Sequence, residues 1–215
     1  MAASPARKLM ADRAYDSLKG WLQSGSYPPG TFLSERQLAG RLGMSKTPVK
    51  SALVRLEMEG YVRISPQQGI VVREPSVAEI LDLFDLREAL ETFVVLRVAG
   101  TLAPEQVRRL RKNLKDMEAA VRERDAHEAT RLDTEFHAML GDFLGNREIT
   151  LSLWRMREKL HRLILSNLSR IPERMVSSAR EHAAIAEAVI RGQGARAAEF
   201  VKEHLEYGRN LLLRR

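Results

Sequence analysis

The sequence predicts a mainly α protein in two parts, residues 1–74 and 75–215. Three observations carry that prediction. Between Ser34 and Val72, two short amphipathic segments flank a glycine and lead into paired β-prone runs, the layout of a winged helix-turn-helix. Beyond Pro75 the apolar residues recur at helical spacing, and no convincing strand appears. The breaks between these segments fall at glycine, proline or capping residues, where helices end.

In order, Ala6 to Leu22 places Leu9, Tyr15, Leu18 and Leu22 on an imperfect amphipathic stripe. Gly25 and Tyr27-Pro28-Pro29-Gly30 end it in a turn. Ser34 and Gln37 form a Ser-x-x-Gln capping box for a second helix that stops at Gly43. Ser45 caps a third helix, and Pro48 sits in its first turn, where a missing N–H costs little. That helix presents Val49, Leu53 and Leu56 on one face and ends at Gly60. Tyr61–Ile64 and Ile70–Val72 then read as a hairpin around Ser65-Pro66-Gln67-Gln68-Gly69. After a linker at Glu74-Pro75-Ser76, six helices are predicted near 76–100, 104–124, 126–144, 146–168, 172–191 and 194–213. They make an all-α bundle.

Composition narrows the function classes. No cysteine is present, so disulfides and thiolate metal sites are excluded. No apolar run approaches the roughly 20 residues that cross a bilayer, and the N-terminus lacks a signal-peptide core, so a cytoplasmic location without membrane partners is expected. The net charge of +7 is uneven: residues 1–74 hold 11 Lys/Arg and 6 Asp/Glu, against 24 and 22 in the remainder. The basic excess sits with the helix-turn-helix pattern, where it favours phosphate contact.

A helix that reads the major groove needs donors near its N-terminus and an apolar face for docking. Ser45, Lys46, Thr47 and Lys50 supply donors, while Arg36 stands at the start of the preceding helix. At the hairpin tip, Gln67, Gln68 and Gly69 suit entry into a minor groove. Each of these also reads, singly, as a solvated surface residue.

In the helical part, Asp133 and His137 lie four apart and therefore share a helix face. His182 and His204 fall on the last two helices. One carboxylate and three imidazoles would suit a borderline divalent ion and leave positions open. An Asp–His pair at this spacing equally reads as a surface hydrogen bond. Arg87 lies inside an apolar stretch with Ile80, Leu83, Phe84, Leu86 and Leu90, open to a pocket role or to an ion pair with Glu91 or Asp85. Arg131, His161 and Asn167 are further pocket candidates, His127 reads as surface, and Phe136 and Trp154 read as core.

The sequence resembles a known family. Tyr27-Pro28-Pro29-Gly30, Leu33-Ser34-Glu35-Arg36, Leu42-Gly43, Ser45-Lys46-Thr47-Pro48-Val49 and Leu53-x-x-Leu56-x-x-x-Gly60-Tyr61-Val62 resemble the signature of GntR-type bacterial transcription regulators. The resemblance implies DNA contact from Arg36, Ser45, Lys46 and Lys50, with Gly69 approaching the minor groove. This chain departs from the family by carrying lysine at 46 and 50 and Ser51 in place of a common glutamate. Lysine is a mobile point charge where arginine is a planar fork, so operator preference does not transfer from arginine-bearing relatives.

Residues 76–215 are similar to the FCD ligand-binding domain of the FadR-type branch, in its shorter VanR-like version. The likeness rests on Leu86-Arg87-x-x-Leu90-Glu91, Asp133-x-x-Phe136-His137, Ser178-x-x-Glu181-His182-x-x-Ile185 and Gly192-x-x-x-Arg196-Ala197. It implies a divalent metal at Asp133, His137, His182 and His204, zinc first, with nickel, manganese or iron as alternatives. It also implies a small carboxylate effector at Arg87, and a homodimeric repressor on an inverted-repeat DNA operator. Two rival readings stand beside it: a metal-dependent hydrolase with a DNA-tethering head, and a regulator whose metal is purely structural. No His-Glu-x-x-His motif supports the hydrolase.

Overall fold

The computed structural model describes residues 9–65 and 69–213. Its chain divides into two compact units, Met1–Pro75 and Ser76–Arg215.

The first unit contains α1 (Met10–Gln23), β1 (Phe32–Leu33), α2 (Glu35–Leu42), α3 (Lys46–Met58), β2 (Val62–Ser65) and β3 (Gly69–Val72). Leu18 and Leu22 of α1, Leu38 of α2 and Val49, Leu53 and Leu56 of α3 are buried together with Val62 and Ile70 of the sheet. Ser34 accepts a hydrogen bond from the Gln37 amide at 3.2 Å and caps α2. Its hydroxyl donates to Gln37 Oε1, so the cap is single rather than the reciprocal box expected from sequence. Gly43 ends α2 in a left-handed conformation (φ 62°), which allows the sharp turn into α3.

The sheet has the order β1-β3-β2, antiparallel throughout. The expected hairpin is therefore extended by a third strand, with Phe32 opposite Val71 and Leu33 opposite Ile70. Gly30 N–H donates to Val72 O at 2.9 Å and Val72 N–H to Thr31 O at 3.0 Å, continuing the pairing. A two-residue strand is too short to show alternation, so the sequence offers no signal for it. The hairpin tip, with Gln67, lies outside the described residues.

The second unit contains α4 (Val77–Val98), α5 (Pro104–Glu123), α6 (Ala126–Leu144), α7 (Arg147–Arg170), α8 (Pro172–Ile190) and α9 (Gly194–Leu213). Helix α4 lies against α9, α6 packs on α5 and α7, and α8 packs on α9 and α5. Phe84, Val95, Leu110, Phe136, Leu153, Leu160, Ile185 and Val201 belong to the main core. Ser76 and Glu79 form a capping box at α4, Asp125 caps α6, and Asn146 caps α7. Each cap is worth about 1 kcal/mol. At one end of the bundle, Gly100 and Gly192 meet so closely that a Cβ on Gly100 would stand 3.1 Å from the Gly192 Cα. Trp154 departs from the sequence expectation: it is 46% exposed on α7, whereas Phe136 is fully buried. Its helix turns Leu153, not Trp154, toward the core. Among the described residues no helix is long and apolar enough to cross a membrane.

Candidate metal, effector and DNA-binding sites

In the first unit, the exposed N-terminal end of α3, which buries Val49, Leu53 and Leu56, carries the predicted donors. Ser45 is the N-cap, and its side chain makes no capping hydrogen bond, which leaves the hydroxyl outward. Lys46 and Thr47 open the helix, and Lys50 follows one turn later; all four are exposed. The helix N-terminus adds partial positive charge to the same place. Arg36 is exposed on the first turn of α2. Gly69 begins β3, exposed, with φ 79°.

In the second unit, three helices converge on one buried point. Asp133 and His137 descend from α6, His182 from α8 and His204 from α9, and their donor atoms all lie within 4.8 Å of one another. His137 Nε2 stands 3.1 Å from His182 Nε2, and His182 Nε2 stands 3.4 Å from Asp133 Oδ1. Phe136 stacks on the His182 ring at 4.4 Å and fixes its plane.

Each imidazole is held by its other nitrogen. His137 Nδ1 lies 2.5 Å from Glu91 Oε2, and Arg87 Nε donates to Glu91 Oε1 at 2.7 Å. His204 Nδ1 lies 2.6 Å from Glu181 Oε2, and Arg174 donates to both Glu181 oxygens. His182 Nδ1 faces the Met117 sulfur of α5 at 3.2 Å. With protons on the Nδ1 atoms, three Nε2 lone pairs point into the cluster. Carboxylate–histidine pairs of this kind orient metal ligands and raise their basicity. Burial, followed by the neighbouring His204, lowers the His182 pKa well below the ordinary value. Burial and the Arg174 guanidinium lower that of His204 to about 3. Both rings are thus neutral near pH 7, the form that binds metal. Burial opposes ionisation of Asp133, but Arg157, whose Nη1 donates to Oδ2 at 2.6 Å, outweighs it with the surrounding cations, and the pKa falls. One carboxylate and three imidazoles, arranged this way, fit a divalent ion.

Beside the cluster is a cavity of about 40 Å³, lined on its polar side by Asp133, His204, Arg87, Arg157, Arg174 and Asn167. Arg87 donates its Nε to Glu91 at 2.7 Å, the ion pair open from sequence, and is also among the residues that line the cavity. Asn167 also lines the cavity; His161 is half-buried, and Arg131 is exposed and paired with Glu128 and Glu135. His127 is exposed.

Arg157, Arg174, Met117 and the orienting role of Glu181 were absent from the sequence reading. Arg157 carried the same signal as Arg87, a lone cation on an apolar face, here formed by Leu153, Met156, Leu160 and Leu163. Glu181 neighbours His182 in sequence but reaches His204 on the next helix, so adjacency along one helix hid it.

A two-unit chain with a winged helix-turn-helix and a six-helix effector module defines a class: one-component transcription regulators. Residues 10–72 match the model for bacterial regulatory proteins of the gntR family, and residues 82–207 match the FCD domain. The chain belongs to the GntR family of transcriptional regulators, in its FCD-bearing branch. It is 27% identical over 194 residues to an uncharacterized HTH-type transcriptional regulator of Bacillus subtilis (strain 168), covering 90% of this chain and 86% of that protein. It is 31% identical over 153 residues to the gluconate operon transcriptional repressor of Bacillus licheniformis, covering 70% and 62%. The solved structure of E. coli McbR/YncC shares the fold, with a TM-score of 0.82 at 19% identity, covering 96% of this chain and 98% of that one. The families and the relatives are transcriptional regulators rather than enzymes.

Proposed function

We propose that the protein is a homodimeric, ligand-responsive repressor whose helical unit holds a divalent metal ion and a small carboxylate effector. Asp133, His137, His182 and His204 would hold the metal, zinc first. Arg87 would bind the carboxylate beside it. The ion would supply a Lewis-acidic anchor for that carboxylate. The observation that carries this reading is the convergence of four buried donors with their Nδ1 atoms already engaged, beside a cavity lined by arginine. A cavity touching two of the four donors favours an effector adjacent to the metal over a purely structural ion.

Arg36, Ser45, Lys46, Thr47, Lys50 and Gly69 are the proposed DNA contacts, and Gln67 at the hairpin tip completes the set. The domain boundary is placed at Glu74-Pro75. Leu86, Phe93 and Leu96 stay roughly half exposed on one side of α4, and apolar surface of that kind supports a second copy as partner. Two wings on a two-fold axis would then read an inverted repeat. A cytoplasmic location follows from binding DNA.

The test is a titration of the purified full chain onto DNA from its own genomic neighbourhood, with and without metal and candidate acids. Specific binding that a carboxylate relieves supports the reading. Failure to bind any such fragment under either condition overturns it.

A further inference from the structure

The charges around the cavity ask for more than one carboxylate. Arg87, Arg157 and Arg174 are 2%, 1% and 5% exposed, and all three line it. Their partners are Glu91, Asp133 and Glu181, so three guanidiniums meet three carboxylates and the fixed charges cancel. A divalent ion on the four donors would add two positive charges that these three ion pairs leave uncompensated in a buried place. Burying uncompensated charge is costly. A monocarboxylate would neutralise half of it.

The hydrogen-bond inventory points the same way. Arg87 Nη2 and Arg157 Nε are buried and have no hydrogen-bond partner among the described residues. Unmade bonds on buried charged donors cost free energy until a ligand completes them. The orphans sit on two different helices, α4 and α7, each on a guanidinium that lines the cavity. One carboxylate group satisfies one arginine fork. Arg87 and Arg157 both line the cavity, so an anion held there would meet two guanidiniums.

We propose that the effector is a short dicarboxylate, one carboxylate received at Arg87 beside the metal and the second at Arg157, which makes Arg157 the residue that selects a doubly charged acid. This rests on the metal-and-carboxylate reading above. The small cavity excludes long diacids.

The test uses the zinc-loaded full chain and calorimetric titration with pairs matched in length: malonate against propionate, succinate against butyrate, with adipate as the long diacid. The diacid of each short pair is expected to bind about tenfold tighter than its monoacid, the worth of one charge-assisted contact, and adipate to bind weakly. Arg157→Lys is expected to erase most of that preference, read as the ratio of diacid to monoacid affinity within each pair, since a mobile point charge replaces the planar fork. Zinc content is measured in the same samples, because Arg157 also steadies Asp133. Asn167→Asp, which adds a negative charge to the cavity wall without touching any metal ligand, is expected to weaken diacids more than monoacids. Equal affinity for the members of each pair overturns the dicarboxylate proposal but leaves the carboxylate reading standing. Zinc uptake without binding of any acid overturns both.

Discussion

At the scale of single residues, the two candidate sites should be separable. Lys46, a proposed DNA contact, is exposed on the first turn of α3 and belongs to the other unit from every proposed metal ligand. Lys46→Ala is expected to weaken operator binding about tenfold across sequences and to lower the salt slope by about 1, as the loss of one phosphate contact requires. Zinc content should not change. His182→Ala should do the opposite, emptying the metal site while effector-free DNA binding persists. Equal damage to both properties by both variants, read by fluorescence anisotropy and metal analysis, would defeat the two-site reading. Glu91 offers a sharper probe of the layer behind the donors. It holds His137 on one oxygen and Arg87 on the other. Glu91→Gln keeps the shape and removes the charge, so zinc affinity measured by chelator competition should fall about 10- to 100-fold. The melting temperature should also fall, because Arg87 then remains buried without its anion.

At the scale of elements, α1 is tied to the end of α3 by a polar cluster that has nothing to do with metal. The Tyr15 hydroxyl donates to Glu59, whose oxygens lie 2.8 and 2.6 Å away, while Lys19 Nζ donates to the phenol oxygen at 3.0 Å. Burial first, then the Glu59 hydrogen bond, raise the Tyr15 pKa above its ordinary value of 10.0. The folded state therefore keeps a proton that the unfolded chain has lost. Its contribution is fully present below pH 10 and disappears as pH climbs through the raised folded value. Tyr15→Phe should cost about 1 kcal/mol near neutrality, and the gap between variant and wild type should close in alkaline denaturant melts. A gap that stays constant to pH 12 would show that the phenol proton plays no part.

The same scale shows what could be read in advance. The six helices of the second unit begin and end within two residues of the breaks that Ser76, Pro104, Asp125, Asn146, Pro172 and Gly194 announce, because caps and prolines act locally. Asp133 and His137 share a face by periodicity alone, whereas His182 and His204 are 22 positions apart, a separation with no spacing rule, so only the fold brings them together. What stayed hidden is tertiary. Strand β1 exists because β3 has an edge to pair with, Trp154 is exposed because α7 buries its neighbour, and Arg157 matters because α6 brings Asp133 to it.

At the scale of the molecule, the proposed repressor makes a quantitative claim about linkage. If metal-bound effector lowers operator affinity by some factor, the operator must lower effector affinity by the same factor, since both bias one equilibrium. A coupling of about 1–3 kcal/mol, or about 5- to 150-fold, is expected. Anisotropy titrations of the zinc-loaded protein on its operator, with and without saturating acid, give one side. Calorimetric titration of the acid into free and operator-bound protein gives the other. The two factors should agree. Phe93→Glu, on the exposed side of α4, tests whether that coupling needs a dimer. It should convert the protein to a monomer in sedimentation and reduce affinity for an inverted repeat toward that for a half-site, while acid affinity in the absence of DNA stays within about twofold, since the cavity lies within a single chain. A wild-type protein that sediments as a monomer at micromolar concentration yet binds the full repeat would overturn the symmetric arrangement.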